Sequence, residues 1–347
     1  MKIILSCRAY PTQRPGGMPF VCQDRARALV EAGHEVHVFT TGGEQGAEVF
    51  SDEGVSVHHL QCESQKYTRQ FAEESLAKAQ AIVPDILHFD GFDVNHLWWA
   101  DGPWKVGITL HGFGPGAFLT KWNIYSHDPT TPPPDFNAAG MLKEITALRK
   151  ADRVIAISRH EQWMMEDFYN LYGKVHLVYN PIPSYFFDLA TAPDPKSNHF
   201  VCLGNPGTSG NRRFDLARET GADVRVIRGV PRTELPAIYA ACKAVLIPTF
   251  WSQGFDLTVA EALASRRPVI ATATGSYYRE GRYFNSGYST GYQGGHPNPW
   301  VKLVPRGDVM ALARAMKEPM NLVQPECAAG HHRPEIHAER WMEAMGC

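Results

Sequence analysis

Short apolar runs alternate with amphipathic stretches along most of this chain. KIILSC from Lys2 is apolar and β-branched. EVHVFT from Glu35, DILHF from Asp85, VGITL from Val106, RVIAI from Arg153 and KVHLV from Lys174 share that character. Between the first two runs, Cys22, Ala26, Leu29 and Val30 recur at helical spacing, and Gly33 offers a helix terminator. Apolar strands separated by helices predict a parallel sheet covered on both faces. The pattern restarts with HFVCL at His199, DVRVI at Asp223, AVLIP at Ala244 and PVIAT at Pro268. A proline-rich stretch from Asn180 to Ser197 separates the two series, and the interdomain linker is expected near Ile182 to Asp188. Two such sheets predict an α/β chain of two Rossmann-like domains, residues 1–182 and 183–318. Their cleft would face the C-terminal strand ends, where these sheets bind ligands.

Length and composition narrow the class. A chain of 347 residues suits two domains, and 44% hydrophobic with 20% charged residues is ordinary for a globular protein. The net charge of -2 gives no overall attraction to polyanions, which leaves only a local basic patch. No apolar run is long enough to span a membrane, while peripheral membrane contact stays open. The N-terminus turns polar at once, unlike a signal peptide, and the seven cysteines contain no C-x-x-C pair. A reduced, cytoplasmic protein is the expectation.

The candidate chemistry lies in two turns and two loops. Gly16 and Gly17 follow the first strand and open the first helix, where backbone can approach an anion closely. The segment PTFWSQGFDLTVAEALASRRPVIAT from Pro248 runs strand, loop, helix, strand. Backbone N–H groups near Gly254, Phe255 and Asp256 would point above that helix start, Leu257 faces the core, and Glu261 could accept two ribose hydroxyls. Gly112 to Ala139 and Tyr283 to Trp300 are rich in Gly, Pro and aromatics, as functional loops often are. Ser158 and Glu161 form S-x-x-E, a capping box with a structural role. His331, His332 and His337 with Cys327 match no standard metal spacing, and no metal is expected.

The order of these features resembles family 4 glycosyltransferases, a retaining family of GT-B fold. GGM with its helix, GHEVHVFT, ITLHGF, ADRVIAISRHE, VYNPI, RVIRGVPRTELPAIYAACKAVLIPT and GDVMALARAM occur in the family's order across roughly Met1 to Lys317. The resemblance implies a C-terminal crossover helix within 319–347 that returns to the first domain. It implies that Glu261 holds the donor ribose as the second glutamate of E-x7-E, with Gln253 in the first position, beside the transferred sugar. His111 would also lie near that sugar. Gly16, Gly17, Gly204, Gly254, Phe255, Asp256 and Leu257 would line the donor site, and Trp122 and Tyr125 the acceptor site.

Three departures stand out. Gln253 carries no negative charge, Asp256 replaces a glycine, and Asn205 replaces a phosphate-binding arginine. Arg212 and Arg213 are the nearest replacement cations, and arginine suits diphosphate by its fork geometry. The implied activity is metal-free transfer from a nucleoside-diphosphate sugar, with UDP favoured, to a hydroxyl acceptor. A sugar-nucleotide epimerase and a non-catalytic nucleotide-sugar binder are the alternatives. The acceptor could be a glycan, a metabolite or a modified DNA base. The net charge disfavours nucleic acid, whereas Trp122 and Tyr125 suit a stacked base.

Overall fold

The computed structural model describes residues 1–41, 48–60, 69–91, 101–111, 138–188, 197–204, 214–249, 256–272, 278–279, 282–283, 300–305, 307–318 and 326–347. Contacts divide the chain into two units. The division falls between Pro181 and Ile182, and the chain returns to the first unit at Pro334.

The first unit carries eight strands: β1 (Lys2–Cys7), β2 (Glu35–Thr41), β3 (Glu48–Asp52), β4 (Val55–Leu60), β5 (Ile86–Asp90), β6 (Lys105–Thr109), β7 (Arg153–Ala156) and β8 (Val175–Leu177). Their order is β3-β4-β2-β1-β5-β6-β7-β8. Only the edge strand β3 runs antiparallel. One face packs Ile3, Leu5 and Cys7 against the first helix, Gly17–Glu31, and the helix Pro334–Met345, whose Trp341 is fully buried. The other packs Ile4, Leu87 and Phe89 against helices Arg69–Ile82, Ala138–Lys150 and Arg159–Tyr169. Strand order reverses between β1 and β5, which leaves a crevice outside their carboxyl ends.

The second unit repeats the scheme with β9 (Phe200–Leu203), β10 (Val224–Ile227), β11 (Ala244–Ile247), β12 (Val269–Thr272) and β15 (Val301–Val304), in the order β10-β9-β11-β12-β15. All pairs are parallel. A separate antiparallel pair joins β13 (Tyr278–Arg279) and β14 (Arg282–Tyr283). The reversal here falls between β9 and β11.

The structure corrects several expectations. Residues Ile182 to Asp188 are no linker, because Ile182, Phe186 and Phe187 are buried in the second unit's core. The return to the first unit starts at Pro334 rather than 319, and the turn Glu326–His332 before it belongs to the second unit. Strands β3, β4, β13, β14 and β15 add to those expected from the sequence. Apart from the antiparallel edge strand β3, both sheets conform to the expected parallel, doubly covered pattern.

Candidate active site

At the first unit's reversal point, β1 ends at Cys7 and the chain reaches the first helix through residues 8–16. Hydrogen bonds tie this loop to β2 and β3. The Thr41 hydroxyl donates to the Arg8 carbonyl at 2.7 Å, the Gln13 amide donates to the Thr41 carbonyl at 2.7 Å, and the Tyr10 hydroxyl donates to Asp52. Gly16 occupies the helix N-cap, and no side chain caps this end. Gly17 and Met18 therefore keep first-turn N–H donors of the kind that attract anions.

Directly beneath lies a buried polar cluster. Asp90 ends β5, and its Oδ1 accepts from Arg25 Nη1 of the first helix; both side chains are fully buried. His111, just beyond β6, approaches the same oxygen through Nε2 at 3.1 Å. Asp90 Oδ2 has no hydrogen-bond partner among the described residues. Burial alone would raise the Asp90 carboxyl. Arg25, the His111 bond and His88 outweigh burial and hold it far below the usual carboxylate range.

Arg25 is fixed by two further histidines. Its Nε donates to His337 Nε2 at 3.3 Å, and His337 Nδ1 donates to the Tyr179 carbonyl at 2.7 Å. His88 Nε2 lies 2.8 Å from the Thr109 hydroxyl, and its ring packs edge-on against Trp341. Burial first, then the Arg25 cation, push both His88 and His337 down to about 3. Both rings are therefore neutral near pH 7. Gly107 on β6 makes room for this packing. A Cβ there would stand 2.5 Å from His88 Nδ1 and 2.8 Å from Met345 Sδ.

In the second unit, Glu261 sits on the helix Leu257–Ala264 that follows β11. Its side chain is buried rather than on the surface. Arg232 Nε donates to Oε1 at 2.8 Å, and the Tyr239 hydroxyl donates to Oε2 at 3.3 Å. The Arg232 guanidinium stands 5.6 Å from the centre of the Phe186 ring. Burial pushes the Glu261 carboxyl up, and Arg232 and Tyr239 oppose the rise. Asp256 is the N-cap of this helix and accepts from the Thr258 N–H at 3.0 Å, so its carboxylate serves the helix start. Leu257 is half-buried against the core. Gly204 closes β9 with φ of +135°, and its N–H reaches the Ile227 carbonyl at 3.3 Å.

Known proteins match this architecture. The family model Glycosyltransferase Family 4 covers residues 15–184, and the model Glycosyl transferases group 1 covers 186–321. The chain is a family 4 glycosyltransferase. A D-inositol 3-phosphate glycosyltransferase from Pseudarthrobacter chlorophenolicus is 25% identical over 80% of each chain. One from Corynebacterium aurimucosum is 38% identical over 87 residues, 24% of this chain and 20% of that protein. Among solved structures, sucrose-phosphate synthase from Thermosynechococcus elongatus aligns with a TM-score of 0.70 at 18% identity, covering 99% of this chain and 96% of that one. Anabaena HepE, solved with UDP and glucose, aligns at 0.59 and 13% identity, covering 100% and 97%. The two parallel-sheet units have the GT-B fold.

Of this glycosyltransferase's expected site residues, Gln253, Gly254, Phe255, Arg212, Arg213, Trp122 and Tyr125 lie outside the described residues, as does Asn205. Gly16, Gly17 and His111 follow carboxyl strand ends of the first unit; in the second, Gly204 follows β9, Asp256 caps the helix after β11, and Leu257 and Glu261 lie within that helix. Ser158 caps its helix as expected, accepting from the Glu161 N–H at 3.2 Å. Glu161 reaches back to the Ile157 N–H at 3.3 Å rather than to that of Ser158. Among the described residues, no group of three or more His, Cys, Asp or Glu is placed to hold a metal, and no helix is long and apolar enough to cross a membrane.

Sequence reasoning missed Arg25, His88, Asp90, Arg232 and Tyr239. A signal existed for two of them. Arg25 interrupts the apolar face marked by Cys22, Ala26 and Leu29, and Asp90 closes an otherwise apolar strand.

Proposed function

We propose that this enzyme transfers a sugar from a nucleoside-diphosphate sugar, with UDP as the nucleotide, to a hydroxyl acceptor. The reaction retains anomeric configuration and uses no metal cofactor. The observation that carries this reading is the buried Glu261. Each oxygen of an ionised carboxylate accepts two hydrogen bonds, and Arg232 and Tyr239 use one on each. One acceptor position per oxygen is left, which fits the two vicinal hydroxyls of a ribose. Arg232 offsets the cost of holding that charge out of water. The UDP and glucose bound in HepE support the same choice of donor.

In the second unit, Gly204 and Arg212 or Arg213 are assigned to the diphosphate; in the first, the uncapped helix start offers donors to an anion. In a front-side transfer, the leaving phosphate oxygen takes the acceptor's proton as the acceptor oxygen bonds to the anomeric carbon. No protein base is then required, and catalysis rests on alignment and on stabilising leaving-group charge. Orienting the sugar is the role assigned to His111 and to Gln253, and binding the acceptor the role assigned to Trp122 and Tyr125. The inositol-phosphate relatives make a polyol phosphate an acceptor to test first.

Calorimetry with UDP tests the donor site. Glu261→Ala should weaken binding by about 1–3 kcal/mol, the cost of polar partners left unmatched. Unchanged affinity in a folded variant refutes the assignment. Incubating UDP-sugars with and without a polyol phosphate reads transfer directly.

A further inference from the structure

His111 is held from below by a carboxylate whose own surroundings leave it one role. Asp90 is fully buried at the carboxyl end of β5, and His111 Nε2 stands 3.1 Å from its Oδ1. The same oxygen accepts from Arg25, whose guanidinium is also fully buried. Arg25 is locked in turn by His337, whose Nδ1 proton goes to the Tyr179 carbonyl, so that its Nε2 can only accept. This arrangement keeps Asp90 ionised, and an ionised carboxylate offers no proton. The proton between His111 and Asp90 therefore belongs to the histidine. With the ring neutral, it sits on Nε2 and leaves a lone pair on Nδ1. His111 Nδ1 makes no hydrogen bond among the described residues, and the side chain is 11% exposed.

We propose that Asp90 is the positioning residue of the transfer reaction: it fixes His111 in the Nε2–H tautomer and presents Nδ1 as a hydrogen-bond acceptor for a hydroxyl of the transferred sugar. The idea rests on the reading of His111 as the sugar-facing group. Arg25 supplies the compensating charge and touches no substrate. The C-terminal helix takes part through His337, which gives Arg25 its acceptor. A bare Nδ1 takes a hydrogen bond from a sugar hydroxyl; with the proton moved to Nδ1, that hydroxyl would have to turn and accept, and the bare Nε2 would face the Asp90 carboxylate with no proton between them. The alignment on which a front-side transfer depends would then be lost.

Nitrogen-15 spectra of histidine-labelled enzyme, with the His111 signals identified by their loss in His111→Gln, read the tautomer without any assay. A protonated Nε2 and bare Nδ1 at pH 7.5 is the expected result; a protonated Nδ1 overturns the proposal. The kinetic arm uses UDP-sugar and acceptor. Asp90→Asn removes the charge and should lower kcat roughly 10- to 100-fold, by analogy with carboxylates that orient metal-binding histidines. UDP affinity should stay unchanged, and the histidine nitrogen-15 spectrum of the variant shows whether the first unit is still folded. His111→Gln can place its amide N–H₂ on Asp90 and its carbonyl towards the sugar, so it should retain more activity than His111→Leu. Equal loss in both would overturn the tautomer argument. Full activity in both would refute instead the placing of His111 at the sugar.

Discussion

Two buried histidines of the first unit, His88 and His337, should lose their contribution to stability in acid, well before Asp90 responds. An exposed histidine titrates near 6.5, whereas these two are held at about 3. Between those values the unfolded chain binds a proton at each site and the folded chain does not. Their stabilising contribution is therefore complete above about pH 6.5 and is lost as pH falls towards 3. At pH 5.5 each site contributes a slope of about 1.2 kcal/mol per pH unit. From pH 7 to pH 5 the loss is about 2 kcal/mol per histidine, or about 4 kcal/mol for both. Asp90, held low by Arg25, acts only below the usual carboxylate range near pH 4, so the two windows separate. Urea denaturation of the full chain at several pH values between 5 and 7 measures the slope, and His337→Gln isolates one site. Over that range the variant should show a mean slope shallower by about 1 kcal/mol per pH unit, whatever its stability at pH 7. Parallel slopes for the two proteins would refute the reasoning, because His337 would then take up no proton on unfolding.

Gly107→Ala should cost about 1–3 kcal/mol, because the new methyl meets His88 and Met345 in a packed core. An unchanged urea midpoint would show that the cluster yields easily. Of Arg212→Ala and Arg213→Ala, one should lower kcat far more than the other, since successive side chains diverge in helix and strand alike. Near-normal kcat in the double variant would leave the diphosphate charge to backbone donors. Transferase activity should survive EDTA, and a loss restored by manganese would contradict the metal-free scheme.

Both sheets were legible because parallel strands buried on two faces read as unbroken apolar runs. KIILSC and AVLIP needed nothing beyond their own residues. The strand β3 was not legible. It is an antiparallel edge with mostly exposed or half-buried residues, so EVFSD carries no apolar run. In β4, VSVHHL alternates, but two histidines obscure the pattern. Glu261 was legible from its helix and preceding loop, but its partner Arg232 was not: 29 residues and a strand separate them. The Arg25–Asp90 pair spans 65 residues, and Arg25 reaches His337 across 312. A buried charge declares its partner only once the sheet has brought both to one end, which no local spacing encodes.

The helix Pro334–Met345 has a consequence for the order in which the protein can be made. It completes the first unit, yet it is translated after the whole of the second. While residues 182–333 leave the ribosome as one contiguous segment able to close its own core, the first unit still lacks Trp341 and Met345, and Arg25 lacks its histidine acceptor. An apolar face of the larger sheet therefore stays open for the time needed to synthesise an entire domain, the interval in which nascent chains are most prone to wrong association. Slowing translation within the second unit should lengthen that exposure, and faster elongation there should shorten it.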